Sequence, residues 1–219
     1  MSGSVPGSRD APPSAMRFAL EPANLVSLAG LLSALLGIYF AILGVFPAAM
    51  IGIVWAVVFD WLDGRVARRA KDRTDEQRAF GGQLDSLIDV VSFGVAPAVV
   101  LLAVGGYQAW LIPGAAVALG AAVIRLSYFN VFGLADGSTY RGLALDNNAL
   151  ILVALFVFQP LLAKPVFVGL LYAMLIALAV LNLAPIRTPK FGGGWYYALL
   201  TFTAGVSAVF GARLAGLGL

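Results

Sequence analysis

Residues 83–104 read QLDSLIDVVSFGVAPAVVLLAV, an apolar run with only two charged residues, Asp85 and Asp89. A helix needs about 20 mostly apolar residues to cross the hydrocarbon core of a bilayer, so this run predicts a transmembrane helix. Carboxylates inside such a helix are costly, and they normally face a partner, a cavity or a cation. The stretch therefore predicts a membrane fold and a functional site together.

Similar apolar stretches fill most of the chain on either side of this run. Hydrophobic residues make up 61% of the sequence and charged residues 11%, against roughly 45–50% and about 25% in a soluble domain. We expect an all-α, polytopic bundle of about six to eight transmembrane helices, because backbone groups in lipid must be satisfied internally. The predicted apolar segments are 24–45, 47–62, 83–104, 107–132, 147–163, 165–184 and 195–215.

The chain is predicted to hold one membrane domain, residues 23–219, after an N-terminal cytosolic tail, residues 1–22. The start of this tail is rich in Ser, Pro, Gly and Ala and does not resemble a cleaved signal peptide. A short interfacial helix is expected over residues 15–20.

The distribution of basic residues predicts the orientation in the membrane. With a cytosolic N-terminus, Lys164 and Arg213 are the two basic residues on or near the opposite side. The other basic residues lie in or beside the tail and the predicted cytosolic regions 63–82, 133–146 and 185–194. This bias follows the positive-inside rule. We therefore expect a multi-pass protein of a prokaryotic cell membrane, with its N-terminus and active site on the cytoplasmic side.

Cysteine and histidine are both absent from the sequence. Their absence excludes disulfides, thiolate nucleophiles, cysteine–histidine zinc sites and imidazole bases. Any acid–base or metal chemistry must use carboxylates, hydroxyls, amides, Arg or Lys. Separately, we expect no nucleic acid partner for this membrane protein.

Four aspartates lie near the ends of two consecutive predicted helices. Asp60 and Asp63 are spaced i,i+3 in DWLDGRVARR (residues 60–69), while Asp85 and Asp89 are spaced i,i+4, so each pair shares one helix face. A short connection allows the two faces to meet across an antiparallel helix pair. Divalent cations would offset the repulsion between these carboxylates, and an all-oxygen site suits Mg²⁺, Mn²⁺ or Ca²⁺.

Small and basic residues accompany the first aspartate pair. Two cations held by shared carboxylates would suit displacement at phosphorus. Gly64 and Ala67 leave room on the same face for a nucleotide or phosphate, and Arg68 suits a phosphoryl oxygen. The alternative is that the acids pair with Arg65, Arg68 and Arg69 and only neutralise a helix boundary.

These residues resemble the signature of the CDP-alcohol phosphatidyltransferases, D-x2-D-G-x2-A-R-x8-G-x3-D-x3-D. The residues that fill its named positions are Asp60, Asp63, Gly64, Ala67, Arg68, Gly81, Asp85 and Asp89. The sequence departs from the signature at one point, where the twelve residues RAKDRTDEQRAF separate Arg68 from Gly81 instead of eight. The four extra residues correspond to about one helical turn or to a longer cytosolic loop, and we expect most of the spacer to be a solvated loop.

The resemblance implies the fold and the chemistry of that family. It implies a homodimer of helical membrane subunits in which an acceptor alcohol attacks the lipid-linked phosphorus of a CDP-activated lipid and CMP is released. Asp60, Asp63 and Asp85 would hold two divalent cations, Mg²⁺ or Mn²⁺, in a site that Ca²⁺ can also occupy. Asp89 would contribute to this site and act as the general base. The residues implied to contact CDP are Asp60, Gly64, Ala67, Arg68 and Gly81.

The acceptor is indicated by the flanking sequence. LDSLIDVVSFGVAPA (residues 84–98), RLSYFN (125–130) and, more weakly, YRGL (140–143) resemble the phosphatidylserine synthase branch. The implied substrates are CDP-diacylglycerol and L-serine, and the implied product is phosphatidylserine for phospholipid biosynthesis. The predicted acceptor-binding residues are Arg125 and Arg141 for the carboxylate, with Ser92 and Asn130 orienting the rest. Alternatively, Arg125 is a topological anchor and Ser92 bonds its own helix backbone.

The sequence departs from the family pattern at one further point, and for this reason acceptors other than serine remain alternatives. Asp146-Asn147-Asn148 stands where the family has a GLP-plus-small-residue run, and it predicts an Asx-type N-cap. Glycerol 3-phosphate, inositol phosphate, another head-group alcohol and an ether-lipid donor remain alternatives. A non-enzymatic ion-binding transporter would need internal repeats, which the sequence does not display. An inactive scaffold would have no reason to keep four costly acids.

Overall fold

The computed structural model describes residues 14–70, 72–134, 139–189 and 193–216. Most of the predicted N-terminal tail, residues 1–13, lies outside the described residues. A short helix, α1 (Ala15–Ala19), lies where the interfacial helix is predicted.

The described chain is mainly helical, and its helices alternate in direction through one bundle. Helix α4 contains a π-helical segment, Val90–Val95, between two α-helical parts. Helix α5 begins with one turn of 3₁₀-helix. The helices after α1 are α2 (Pro22–Ile42), α3 (Phe46–Arg69), α4 (Asp75–Val104), α5 (Ala109–Phe132), α6 (Leu145–Val157), α7 (Lys164–Leu183) and α8 (Trp195–Leu214).

The predicted polytopic fold is confirmed. Within the described residues, six helices (α2, α3, α4, α5, α7 and α8) are long and apolar enough to cross a membrane. Helix α6 is a shorter apolar helix, followed by a 3₁₀ turn, Gln159–Leu161. Each of the seven predicted apolar segments thus corresponds to one helix.

The connection between α3 and α4 is shorter than predicted. Helix α3 continues to Arg69 and α4 already begins at Asp75, so the predicted cytosolic region 63–82 is largely helical. The sequence prediction ended these helices where the apolar runs end. Helical backbone can extend past that point, because its hydrogen bonds are internal and its polar side chains can remain in water.

Residues 75–80 of the spacer form the start of α4, so in this part the prediction of a loop is wrong and the helical alternative is correct. Thr74 and Gln77 form a capping box: the Thr74 hydroxyl accepts from the Gln77 amide (3.2 Å), and the Gln77 side chain accepts from the Thr74 amide (2.8 Å). The added turns also pack, since the Phe80 ring stacks on Phe18 of α1 with 5.2 Å between ring centroids.

Small residues bring α2 and α3 into backbone contact. A Cβ atom on Gly52 would lie 2.7 Å from the Gly37 amide nitrogen and 2.8 Å from the Ser33 carbonyl oxygen. The Ser33 hydroxyl donates to the Gly52 carbonyl (2.8 Å). Such close approach is typical of helix pairs in membranes, where packing replaces the hydrophobic effect. Helix α2 also packs against α4, so it supports both acid-bearing helices.

The remaining helices pack around one apolar core. Helix α5 packs against α7, helix α3 against α8, and α6 contacts α3, α7 and α8. Large side chains from different helices are fully buried in this core, including Ile53, Leu101, Leu152, Leu171 and Phe210. The core supports the site from behind.

The two ends of the bundle differ in charge. The acidic end holds the C-terminus of α3 and the first half of α4. The opposite end holds Lys164, the first residue of α7, and Arg213 in the last turn of α8. Arg213 donates to the Phe156 and Val157 carbonyls (3.1 and 2.7 Å). These carbonyls end α6 and lack partners within the helix, so Arg213 caps it.

Two predicted loops at the acidic end pair as a small ribbon, β1 (Thr139–Arg141) and β2 (Arg187–Pro189), which are antiparallel. Gly142 follows β1 with a positive φ of 75°, and a Cβ atom there would collide with the Asn182 carbonyl. The Thr188 hydroxyl donates to the Gly142 carbonyl (2.6 Å). This turn needs glycine, and it fixes the ribbon against the end of α7.

Candidate active site

Three of the predicted metal ligands converge at the acidic end. Asp60, Asp85 and Asp89 each contribute one carboxylate oxygen, and these three oxygen atoms lie within 4.8 Å of one another. Asp60 comes from α3, while Asp85 and Asp89 come from successive turns of α4, so the two helix faces meet as their spacing predicts.

Asp63 lies beside this group, but its carboxylate is held by α2. The Ser27 hydroxyl donates to one Asp63 carboxylate oxygen. The Asp63 residue is buried, with 7% of its surface exposed. The fourth predicted ligand is therefore oriented by a residue that the aspartate spacing does not reveal.

Among the described residues, no arginine forms an ion pair with any of the four aspartates. In the described part of the chain, the ion pairs are Arg73 with Glu21 and Arg78 with Asp75. Arg65 instead lies over the Tyr196 ring, 4.2 Å from its centroid. The alternative in which the four aspartates pair with neighbouring arginines is not what the structure contains.

A π-helical segment follows Asp89 directly. Pro97 has no amide hydrogen and would crowd the carbonyl four residues earlier, so regular α-helix is disfavoured there. The chain widens into a π-helix over Val90–Val95, with the Ala96 amide bonded to the Val91 carbonyl. This change of pitch comes immediately after Asp89 and buries Ser92 and Phe93.

The acids line a cavity of about 280 Å³, and we name two groups of its lining residues by the elements that carry them. The acidic wall is formed by Asp60 and Asp63 of α3 and by Asp85 and Asp89 of α4. The arginine wall is formed by Arg125 and Phe129 of α5, Tyr140 of β1 and Asp146 of α6. The other described residues that line the cavity are Trp61, Gly64, Arg65, Arg68, Ser86, Phe93, Leu126, Ala144, Leu145, Asn147, Gly193 and Tyr196.

The predicted CDP contacts divide into two groups. Gly64 and Arg68 line the cavity beside the acidic wall. Ala67 and Gly81, both described residues, are not part of its lining. A Cβ atom on Gly81 would lie 2.6 Å from an Arg73 guanidinium nitrogen and 3.1 Å from the Asn24 side-chain oxygen. Glycine at position 81 therefore permits close packing of α4 against α2 and the spacer.

Arg125 is the centre of the arginine wall. Its Nε atom donates to the Leu143 carbonyl (3.2 Å), and its guanidinium carbon lies 5.4 Å and 5.2 Å from the Phe129 and Tyr140 ring centroids. The residue is only 6% exposed, yet its Nη2 atom has no hydrogen-bond partner among the described residues. A buried guanidinium with a free donor facing a cavity is suited to bind an anion.

Tyr140 reaches the cavity from β1 of the ribbon. Burial raises the pKa of Tyr140 to about 12, with the nearby Asp146 carboxylate adding to the effect. The phenol therefore stays neutral at physiological pH and can donate or accept a hydrogen bond.

Asp146 completes this wall, and its predicted role as an N-cap is wrong. Helix α6 begins at Leu145, and its N-cap residue is Ala144. One Asp146 carboxylate oxygen accepts from the Trp61 indole nitrogen (2.8 Å) and the other from the Asn147 amide (2.9 Å). The carboxylate is therefore fixed toward α3, and it lines the cavity.

The other predicted acceptor residues lie farther from the cavity. Ser92 is buried behind the acidic wall, where it lines a separate space of about 10 Å³, and its hydroxyl has no partner among the described residues. Asn130 is exposed and accepts from Ser86, at the cavity edge (3.1 Å). Arg141 is exposed and donates to the Tyr128 hydroxyl (2.8 Å). The structure brings neither Asn130 nor Arg141 into the cavity lining.

Sequence reasoning missed Trp61, Tyr140 and the site role of Asp146. The one available signal was the departure at residues 146–148 from the family pattern. The bond between Trp61 and Asp146 joins residues 85 positions apart, so no local spacing could predict it.

The residues present fit a divalent cation. The converging donors are all carboxylate oxygens, which hard cations prefer. One Asp89 carboxylate oxygen is buried without a hydrogen-bond partner among the described residues. An unpaired buried carboxylate oxygen is costly, and a cation would satisfy it.

Fold and site together define a polytopic helical membrane protein with a carboxylate-lined cavity at one end. The sequence matches the CDP-alcohol phosphatidyltransferase family over residues 20–181, and the chain belongs to that family. It is therefore a phosphatidyltransferase enzyme of the membrane.

Several curated proteins resemble this chain over most of its length. The archaetidylserine synthase of Methanothermobacter thermautotrophicus is 34% identical over 174 residues, which cover 78% of this chain and 70% of that protein. The CDP-diacylglycerol–serine O-phosphatidyltransferase of Helicobacter pylori strain J99 is 30% identical over 177 residues, covering 77% and 71%. The enzyme with that name from Mycobacterium tuberculosis strain H37Rv is 35% identical over 151 residues, covering 68% and 43%.

Proposed function

We propose that this enzyme transfers the phosphatidyl group of CDP-diacylglycerol to the hydroxyl of L-serine, forming phosphatidylserine and CMP. The observation that carries the proposal is one cavity with a carboxylate cluster on one wall and the buried, unpaired Arg125 Nη2 on the other. The names of the relatives, serine phosphatidyltransferases and an archaetidylserine synthase, support the same acceptor.

The donor is proposed to bind along the acidic wall. Gly64 leaves the helix backbone accessible, and Arg68 supplies a cation for the CDP phosphates. Asp60 belongs to the carboxylate cluster and lies about one helical turn before Gly64 on α3, so it can contact both the nucleotide and a cation. Ala67 and Gly81 would act from just outside the cavity, by allowing close approach of the backbone.

Asp60, Asp85 and Asp89 are proposed to hold the divalent cation, Mg²⁺ or Mn²⁺, with Asp63 contributing its second oxygen to a neighbouring ion. When bound, the cation would neutralise the phosphate charge that accumulates during displacement. Ser27 fixes one Asp63 carboxylate oxygen and thereby limits the orientation of the other.

Asp89 is proposed to be the general base. The serine Oγ atom forms a bond to the lipid-linked phosphorus, the bond from that phosphorus to the CMP oxygen breaks, and the hydroxyl proton passes to Asp89. Its place in the cavity lining, one helical turn beyond Asp85, supports this role, because a general base must line the space that holds the acceptor hydroxyl.

The serine carboxylate is proposed to bind Arg125. Nη2 is the free donor, while the bond to the Leu143 carbonyl and the two flanking rings hold the guanidinium in place. Of the two arginines predicted for this role, Arg125 lines the cavity and Arg141 does not. Ser92 and Asn130 would act indirectly, through the packing behind Asp89 and through Ser86.

The proposed setting is a prokaryotic cell membrane, with the acidic end in the cytoplasm and the enzyme a homodimer. The orientation is supported by the two basic residues at the opposite end, Lys164 and Arg213, against the larger number at the acidic end. The homodimer rests on the family resemblance.

The test is an acceptor panel with purified enzyme in lipid nanodiscs. CDP-diacylglycerol with Mg²⁺ or Mn²⁺ is offered with L-serine, glycerol 3-phosphate, inositol phosphate or ethanolamine, and both CMP and the lipid product are measured. We expect serine to give phosphatidylserine at the highest kcat/KM. A higher kcat/KM for another acceptor would refute the serine assignment. If no acceptor in the panel supports metal-dependent CMP release, phosphatidyl transfer to these alcohols would be refuted. A parallel ether-lipid CDP donor tests the donor chain type, because one relative is an archaetidylserine synthase.

A further inference from the structure

Asp146 is a charged residue of the cavity that the eight-residue signature does not include. Both of its carboxylate oxygens are fixed, one by the Trp61 indole and the other by the Asn147 amide. It also lies in the first turn of α6, where the helix dipole stabilises a negative charge. The carboxylate is thus held in place at the cavity, and in the described part of the chain no basic group lies within ion-pair distance of it.

Asp146 and Arg125 line the same cavity but do not form an ion pair within the described residues. Arg125 uses Nε for the Leu143 carbonyl and leaves Nη2 unpartnered and buried. An opposite charge nearby would ordinarily attract that donor. The arginine wall therefore presents separate positive and negative groups, an arrangement that suits a zwitterion.

We propose that Asp146 binds the α-ammonium group of the acceptor while Arg125 binds its carboxylate, so that Asp146 makes the enzyme selective for amino-acid alcohols. This inference rests on the proposed function and deepens it. An acceptor without the ammonium group would leave a fixed carboxylate without its partner, and sites built for a polar group strongly reject analogues that lack it.

A role of Asp146 as a further metal ligand is disfavoured by the geometry. The three carboxylates of Asp60, Asp85 and Asp89 meet within 4.8 Å without Asp146. Asp146 is instead bonded to Trp61, on the side of α3 next to Asp60. A purely structural role, in which Asp146 only anchors Trp61, is the main competing explanation.

The test compares the full-length enzyme with Asp146→Asn, which has nearly the same shape and can still accept from Trp61. Acceptors are L-serine, glycerate (no ammonium) and ethanolamine (no carboxylate), with CMP release as the readout. Loss of a charge-assisted hydrogen bond should raise the KM for serine about 10- to 100-fold. The preference for serine over glycerate should fall by a similar factor. The KM for CDP-diacylglycerol and the Mn²⁺ concentration for half-activation should stay unchanged.

A second variant, Trp61→Phe, separates recognition from anchoring. It removes the indole donor but keeps the Asp146 charge, so it should retain the preference for serine over glycerate. Loss of that preference to the same extent as in Asp146→Asn would indicate a structural role and overturn the inference. An unchanged serine KM in Asp146→Asn, or a shifted Mn²⁺ dependence, would overturn it as well.

The unmodified enzyme provides a test that does not depend on a variant's folding. It should prefer serine over glycerate by at least about tenfold, and a smaller preference contradicts the role of Asp146. If the unmodified enzyme prefers ethanolamine to serine, the proposed serine acceptor is wrong, while an effect of Asp146→Asn on ethanolamine would still support ammonium binding. If it uses serine normally and Asp146→Asn has no effect, the proposed function stands and this inference fails.

Discussion

The two walls of the cavity are built in different ways. The acidic wall stands on two helices, where Asp60 and Asp63, and likewise Asp85 and Asp89, share a face through helical periodicity. The arginine wall combines α5, the β1 strand and the start of α6, and its groups are held by hydrogen bonds to carbonyls and an indole. The acidic wall therefore depends on the geometry of one helix pair, and the arginine wall on contacts between residues of several different elements.

This difference suggests that the two walls have different roles in the reaction. Regular helices hold the carboxylates that the common reaction needs, and their backbone can change little without breaking the bundle. In the arginine wall, Tyr140 lies in the connection between α5 and α6, and functional side chains often lie on loops supported by a rigid scaffold. We infer that the acidic wall determines the reaction and the arginine wall the acceptor.

The largest effect is expected from Asp89→Asn, which removes the proposed base from the acidic wall. General base catalysis contributes about 10²- to 10⁴-fold, so kcat should fall by at least about 100-fold. Asp75→Asn is the matched control, because Asp75 lies on the same helix in an exposed pair with Arg78. CMP release at saturating serine measures both, with size-exclusion chromatography to check folding. Near-normal turnover in Asp89→Asn would remove Asp89 from the mechanism.

The acidic wall was also the part of the site that the sequence could predict. The i,i+3 and i,i+4 spacings place each aspartate pair on one face without knowledge of the tertiary structure. The apolar runs likewise predict the six long helices. The ends of α3 and α4 were misjudged, because helix continues past the apolar run where a cap such as Thr74 supports it.

The arginine wall could not be predicted in the same way. Tyr140 reaches the cavity because β1 pairs with the distant strand β2. The hydrogen bond from Thr188 to Gly142, which holds this ribbon in place, joins residues 46 positions apart. Asp146 is oriented by Trp61 across 85 residues. Such contacts depend on how the bundle closes, and hydrophobic periodicity carries no information about them.

A second prediction distinguishes the two arginines proposed from the sequence. Arg125→Gln removes a buried cation, and charged hydrogen bonds are worth about 1.5–3 kcal/mol. The KM for serine should therefore rise about 10- to 100-fold, with the KM for CDP-diacylglycerol little changed. Arg141→Gln is the control, since Arg141 is exposed and outside the cavity lining, and it should have little effect. The reverse pattern would place the acceptor carboxylate at Arg141.

A third prediction tests the support of the arginine wall. Gly142→Ala places a Cβ on a residue with positive φ and against the Asn182 carbonyl. The left-handed conformation alone costs about 1–2 kcal/mol, so the melting temperature should fall by several degrees and the KM for serine should rise. Gly82→Ala is the control, because a Cβ there meets nothing within 4 Å. Equal melting temperatures for the two variants would show that the ribbon does not support the wall.

The smallest effect on activity is expected at the opposite end of the bundle, far from both walls. Arg213→Met keeps the unbranched part of the side chain but removes the donors to the Phe156 and Val157 carbonyls. Each such hydrogen bond is worth about 1 kcal/mol net, so the melting temperature should fall by a few degrees, while kcat and both KM values should stay unchanged. Arg78→Met is the control, because its exposed pair with Asp75 contributes about 0–1 kcal/mol. The prediction matters because α6 runs from Asp146 in the arginine wall to the carbonyls that Arg213 caps. A raised KM for serine in Arg213→Met would mean that α6 transmits a change at one end to the other, and the arginine wall would then depend on the whole helix.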